Sequence, residues 1–146
     1  MALSRQTDGM EIVGTWSGTV CVENSLFGAQ EDATVGEEPW TELDLDSGPL
    51  VAGRGALLIV SPSIDHDADV TVQVLSGAPD AREQAGWATA GRAVYHSTGT
   101  DLAVCSLTQG FESTGLELQE RTYSVRLLRR QVQMEEQNDA FLIQLW

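Results

Sequence analysis

The chain has 146 residues, 42% hydrophobic and 21% charged, which suits one globular domain over 1–146 and excludes a disordered segment. Its 22 acids against 8 bases leave a formal net charge of −14. A charge of that sign is repelled by nucleic-acid phosphates and anionic membrane surfaces, so direct binding to either is excluded and a basic protein becomes the expected partner. No apolar run reaches signal-peptide or membrane-spanning length, so a soluble, cytoplasmic protein is expected. Cys21 and Cys105 fit that compartment as reduced, buried small hydrophobes, although two isolated cysteines leave a bridge between them open.

Taken in chain order, residues 1–10 are expected to fray. "GTVCVEN" (18–24) sets Val20 and Val22 against Thr19, Cys21 and Glu23, the alternation of a half-buried strand. "TELDL" (41–45) opposes Leu43 and Leu45 to Glu42 and Asp44, a weaker strand. "GALLIVS" (55–61) is a continuous apolar run, the pattern of a strand covered on both faces. "ADVTVQVLSG" (68–77) alternates through Val70, Val72 and Val74. "DAREQAGWA" (80–88) predicts one or two helical turns. The stretch from Gly91 to Ser97, "DLAVCSL" (101–107), "TGLELQ" (114–119), "TYSVRLL" (122–128) and "AFLIQLW" (140–146) complete a set of eight or nine short strands. Turn chemistry such as "SPSIDHD", "SGAPDA" and "STGTD" separates them. Short strands at regular spacing with at most one helix predict an all-β antiparallel sandwich, with a closed barrel as the alternative. The last two strands are expected to pair as a hairpin.

The chemistry-bearing residues do not assemble into a known motif. "DHDAD" (65–69) places carboxylates at alternate positions, but a calcium loop needs glycine sixth and glutamate twelfth, where Val70 and Ser76 stand. The segment therefore reads as a polar loop. His66 and His96 are the only histidines and lack the spacing of a zinc site. No G-x-S-x-G elbow and no phosphate-cradling glycine loop occurs, and neither cysteine has a basic neighbour in sequence. No enzyme, metal or cofactor is expected on these grounds. A cluster of Arg121, Arg126, Arg129 and Arg130 holds half of the positive charge and reads as exposed side chains that protect an edge or meet an acidic group. Trp16, Trp40, Trp87 and Trp146 fall at strand ends or in loops, where they cap the core or anchor a partner.

The acids are concentrated. From Glu31 to Asp46 there are seven carboxylates and no base, centred on "EEPWTELDLDSG" (37–48). Two interpretations stay open for it: a solvated edge, or a face of Glu37, Glu38, Trp40, Glu42, Asp44 and Asp46 that docks a basic partner.

Phe27, Trp40, Thr41, Glu42, Gly55, Ala56, Tyr123, Val125 and Arg126, with the terminal "IQLW", occur in the same order as in another group of proteins. This pattern, over about residues 20–146, resembles small bacterial β-sandwich proteins of the competence DNA-entry nuclease inhibitor type and related uncharacterised proteins. The resemblance implies a non-enzymatic inhibitor or immunity-type protein that binds a nuclease, with acids beside Trp40 at the contact. A small-molecule or carbohydrate-binding sandwich is the alternative, as is a structural or regulatory subunit, including a homo-oligomer built through edge strands.

Overall fold

The computed structural model describes residues 10–37, 43, 44, 46, 48–62, 64–80, 86–106, 110–130 and 139–146. The expectations for the first nine residues, for most of the helix predicted at 80–88 and for the linker before the last strand lie outside them.

Ten strands follow one another: β1 (Ile12–Val22), β2 (Leu26–Glu31), β3 (Leu50–Ala52), β4 (Ala56–Val60), β5 (His66–Leu75), β6 (Trp87–His96), β7 (Asp101–Ser106), β8 (Gly110–Glu117), β9 (Thr122–Arg130) and β10 (Asp139–Leu145). A 3-10 turn, Asp32–Thr34, follows β2, and no α-helix occurs among the described residues. The strands form two five-stranded sheets, β1-β5-β10-β9-β6 and β3-β4-β2-β7-β8. The result is an all-β sandwich, as the alternation predicts, with ten strands among the described residues against the eight or nine expected.

The core lies between the sheets. Val20, Val22, Val70, Val72, Val125, Leu127, Phe141, Ile143 and Leu145 face Phe27, Leu50, Leu57, Ile59, Leu102 and Val104. Alternation along each strand delivers one apolar row per strand to that interface, and its burial supplies the main driving force of folding. The predicted hairpin pairs β9 with β10 antiparallel, Leu127 opposite Ile143. On its other side β10 runs parallel to β5, with Asp139 in register with Ala68.

Four expectations need correction. β2 ("LFGAQE") matches no expected element, yet it is buried almost throughout and sits at the centre of the second sheet. Leu43 and Asp44 of the predicted "TELDL" strand lie outside any strand, and "LVA" at 50–52 pairs with β4 instead. "DHDAD" is not a loop: His66 opens β5, which carries Asp67 and Asp69 outward around buried Ala68. Trp87 and Ala88, expected in a helix, open β6 and pair with Arg130 and Arg129.

Two tight local features position the sheets. The chain passes from the first sheet to the second through Asn24 and Ser25, both with positive φ (53° and 68°) between the bridged residues Glu23 and Leu26. That is a two-residue hairpin turn of the type whose twist matches its strands, with Ser25 where glycine is favoured. In β1 a Cβ on Gly18 would lie 2.6 Å from the Trp16 ring. Glycine there lets the ring lie along the strand against the core.

Candidate functional site

The acidic segment leaves the sandwich at a rigid point. Glu31, the last residue of β2, is fully buried, and both of its carboxylate oxygens are occupied. Oε2 accepts from the Tyr95 hydroxyl (2.6 Å) and the Thr98 N–H (2.8 Å), and Oε1 accepts from the Ser97 hydroxyl (2.8 Å) and the Thr100 N–H (3.1 Å). A buried carboxylate is tolerable when its lone pairs meet donors, as these do. Burial first, and then the hydrogen bond to Glu31, push the Tyr95 hydroxyl far above its ordinary range, so it remains a donor. The box joins β2 to the connection between β6 and β7.

Beyond it the 3-10 turn is clamped by Thr34, whose hydroxyl donates to the Glu31 and Gly55 carbonyls, both at 3.0 Å. Gly55 has φ +71°, and a Cβ there would meet Thr34 Cγ2 at 2.3 Å. Conformation and space both require glycine. Gly55 N–H in turn donates to the His96 carbonyl, and His96 N–H to that of Gly53, so the β3–β4 turn closes onto the edge strand β6.

From this anchor the acids run outward. Asp32 and Glu37 are exposed, and Glu37 Oε1 lies 3.7 Å from Arg54 Nη1 with both side chains more than half accessible. Leu43 is half-buried, and a Cβ added to Gly53 would meet it at 3.0 Å, which places the segment against the turn before β4. Asp44 and Asp46 are exposed, and the Asp44 carboxylate accepts from the Asp46 N–H at 3.0 Å. The structure thus puts Glu37, Asp44 and Asp46 at the surface on the β3 side of the sandwich. Glu38, Trp40 and Glu42 lie outside the described residues.

Asp46 also borders a groove of about 520 Å³ where the two sheets part. Its walls are mainly apolar, with Pro49, Val60, Leu127 and Phe141, and Ser61 and Arg129 supply polar groups. Sequence patterning could not foresee this groove, because its walls come from β4, β6, β9, β10 and the segment before β3.

The other predicted features resolve separately. The four arginines do not form one exposed cluster. Arg126 is 1% exposed; its Nε and Nη2 donate to Gln144 Oε1 at 3.0 and 2.7 Å, and its Nη1 donates to the Asp80 carbonyl at 2.9 Å. Arg129 Nη2 meets Asp139 at 3.3 Å. Arg121 stacks on the Tyr123 ring at 3.7 Å, and Arg130 lies over Trp87 at 5.5 Å. The exposed, edge-protecting interpretation therefore fails for Arg126, which is buried between Gln144 and the Asp80 backbone. Asp65 accepts from the Asn24 N–H at 2.9 Å, fixing the turn rather than a cation. Among the described residues no three His, Cys, Asp or Glu side chains converge as a metal site would require. Trp16, Trp87 and Trp146 are each half-buried.

Both cysteines are free thiols. Burial pushes the Cys105 thiol up to about 12, against a smaller lowering by a hydrogen bond with the Gly28 backbone. Desolvation, and then the charges of Glu23, Asp67 and Asp65, raise that of Cys21. No helix among the described residues is long and apolar enough to cross a membrane.

No protein-family profile matches the chain, and no curated protein does. Two solved structures share the fold. ComJ from Bacillus subtilis, described as an inhibitor of the DNA-degrading activity of NucA, superposes with a TM-score of 0.58 at 11% identity, covering 92% of this chain and 98% of ComJ. Crocagin biosynthetic gene J gives the same TM-score of 0.58 at 14% identity, covering 94% of this chain and 97% of the other. The sandwich expected from the resemblance is thus a fold that a nuclease inhibitor also uses.

Proposed function

We propose that the protein works in the cytoplasm by binding another protein, as an inhibitor or immunity-type partner of a basic enzyme such as a nuclease. The observation that carries this is the acidic segment fastened to the β3 side of the sandwich, with Glu37, Asp44 and Asp46 exposed in a chain of net charge −14. An enzyme that handles nucleic acid presents a basic cleft to its substrate, and clustered carboxylates on a rigid scaffold complement such a cleft. The nuclease-inhibiting activity in the description of ComJ supports the same class of role. Free thiols suit a reducing compartment.

In this mechanism Glu37, Glu38, Glu42, Asp44 and Asp46 steer the partner in and meet its basic groups. Trp40 is the aromatic anchor, since tryptophans surrounded by weaker contacts dominate interface energies. Occupying the cleft blocks the substrate, so inhibition needs no chemistry from this chain.

The test uses as partner a basic nuclease that the purified protein is first shown to bind. The double variant Glu42→Lys, Asp44→Lys is expected to slow association at least about tenfold at low salt while leaving the far-ultraviolet spectrum unchanged. Trp40→Ala is expected to speed dissociation. Equal association rates for wild type and the double variant at low salt would refute the docking face.

A further inference from the structure

Ser61, on the wall of the groove, meets His66 and, behind it, Asp139. Ser61 follows β4, His66 opens β5 and Asp139 opens β10. Ser61 Oγ lies 2.9 Å from His66 Nε2. On the far side of the ring, His66 Nδ1 faces the Asp67 carbonyl oxygen at 3.1 Å and Asp139 Oδ2 at 3.6 Å.

These neighbours decide the tautomer. A carbonyl oxygen and a carboxylate only accept, so Nδ1 carries the ring proton and Nε2 presents its lone pair. The Ser61 hydroxyl then donates to Nε2. A hydroxyl bonded to an imidazole base, with the base oriented from behind by acceptors, is the arrangement that activates serine as a nucleophile. The carboxylate is itself held: Asp139 is 10% accessible, and Arg129 Nη2 meets its Oδ1 at 3.3 Å.

A second observation comes from the groove. Ser61 and Arg129 both line it, beside the apolar walls of Val60, Leu127 and Phe141. Arg129 Nε is buried and has no acceptor among the described residues. A buried N–H left without a partner calls for a reason. Since Arg129 lines the same groove as Ser61, this N–H is the candidate donor to a developing oxyanion.

We propose that Ser61 is an acyl-transfer nucleophile, with His66 as its base, the Asp67 carbonyl orienting the ring and Asp139 as the carboxylate that stabilises the imidazolium. The substrates are small neutral esters whose apolar acyl group lies against Val60, Leu127 and Phe141; a net charge of −14 disfavours anionic ones. Ser61 Oγ bonds to the ester carbonyl carbon as its proton passes to His66 Nε2. The carbon–alkoxy bond breaks, and that proton leaves with the alcohol. Water then attacks the acyl-serine and gives a proton to His66, which returns it to Ser61 Oγ as the acid departs. The net reaction is ester plus water to acid plus alcohol. This activity goes beyond inhibition by docking and requires no partner.

The test treats the purified full chain with a fluorophosphonate, which reacts with activated serines by forming an O–P bond and expelling fluoride. Intact mass is expected to rise by one phosphonyl group, mapped to Ser61, and Ser61→Ala is expected to stay unlabelled. His66→Gln is expected to label at least about a hundredfold more slowly, the scale of general-base catalysis. Asp139→Asn is expected to fall between His66→Gln and wild type. Hydrolysis of p-nitrophenyl butyrate should disappear with Ser61→Ala. Labelling is read on the isolated chain, so its outcome does not depend on the docking face. An unlabelled wild-type protein, a label elsewhere, or His66→Gln labelling at the wild-type rate would overturn the proposal. The wild-type result decides it even where His66→Gln fails to fold.

Discussion

Glu31 accepts four hydrogen bonds in a fully buried position, which makes it the most consequential single polar side chain of the fold. Glu31→Ala leaves those donors unmatched, and a loss of about 3–5 kcal/mol is expected from the urea midpoint. Tyr95→Phe removes one donor and one bond, so about 1–2 kcal/mol is expected. Ser25 works in the opposite direction. Its φ of 68° strains an L-residue, and Ser25→Gly is expected to stabilise the protein by about 0.5–1 kcal/mol, because its backbone bonds to Ile64 and Ser61 stay in place. Cys105 gives a pH dependence with a definite sign. Below about pH 8.5 the thiol is protonated in folded and unfolded chains alike. From there to about 12 the unfolded chain releases the proton and the folded one keeps it, so stability falls as pH rises. Cys105→Val is expected to flatten that alkaline limb in pH-dependent unfolding, and an unchanged limb would assign it to other groups.

Among the elements, the pairing of β9 with β10 carries a polar patch under the outer face of the first sheet. Arg126 sits opposite Gln144, and Gln144 Nε2 donates onward to Gln73 at 3.0 Å, which ties β5, β10 and β9 side by side. Arg126→Ala strands Gln144 and is expected to cost about 3–5 kcal/mol, whereas Arg126→Met with Gln144→Leu is expected to be nearly neutral. Thermal unfolding of both variants checks this. The same elements show what patterning can reveal. β5, β7, β9 and β10 are legible because apolar residues recur along them within a bounded run, and strand alternation is a local property. β2 is not legible. Gly28, Ala29 and Gln30 are all buried at the middle of a sheet, so no exposed row marks a period of two. Leu43 and Asp44 of "TELDL" show the converse: they carry the alternation yet lie outside any strand. Of the proposed docking face, the acidity is readable; its place before β3 is not, because no alternation marks "LVA" as a strand. The approach of Asp139 to the Ser61–His66 pair is not readable either, because the parallel register of β5 and β10 brings Asp139 beside His66 and no local signal encodes which strands become neighbours.

For the whole molecule the net charge acts twice, with opposite signs. Raising salt from about 10 mM to 150 mM shortens the screening length from roughly 30 to 8 Å and relieves self-repulsion within the fold. The midpoint of thermal unfolding is expected to rise by a few degrees over that range, while association with the proposed basic partner is expected to slow. A midpoint insensitive to salt would mean that the carboxylates are already compensated locally. The strand order carries a consequence for biosynthesis. β10 lies at the centre of the first sheet, yet it leaves the ribosome roughly 60 residues after its parallel neighbour β5. At about 5–20 residues per second that interval lasts several seconds. Throughout it β5 lacks β10 as its neighbour, and β9 lacks it too from the moment it is made; the two belong to separate halves of a sheet that only residues 139–145 join. Translational pausing within that stretch, or a proline at Ile143, is therefore expected to send the nascent chain to chaperones and aggregates rather than to a partly active sandwich.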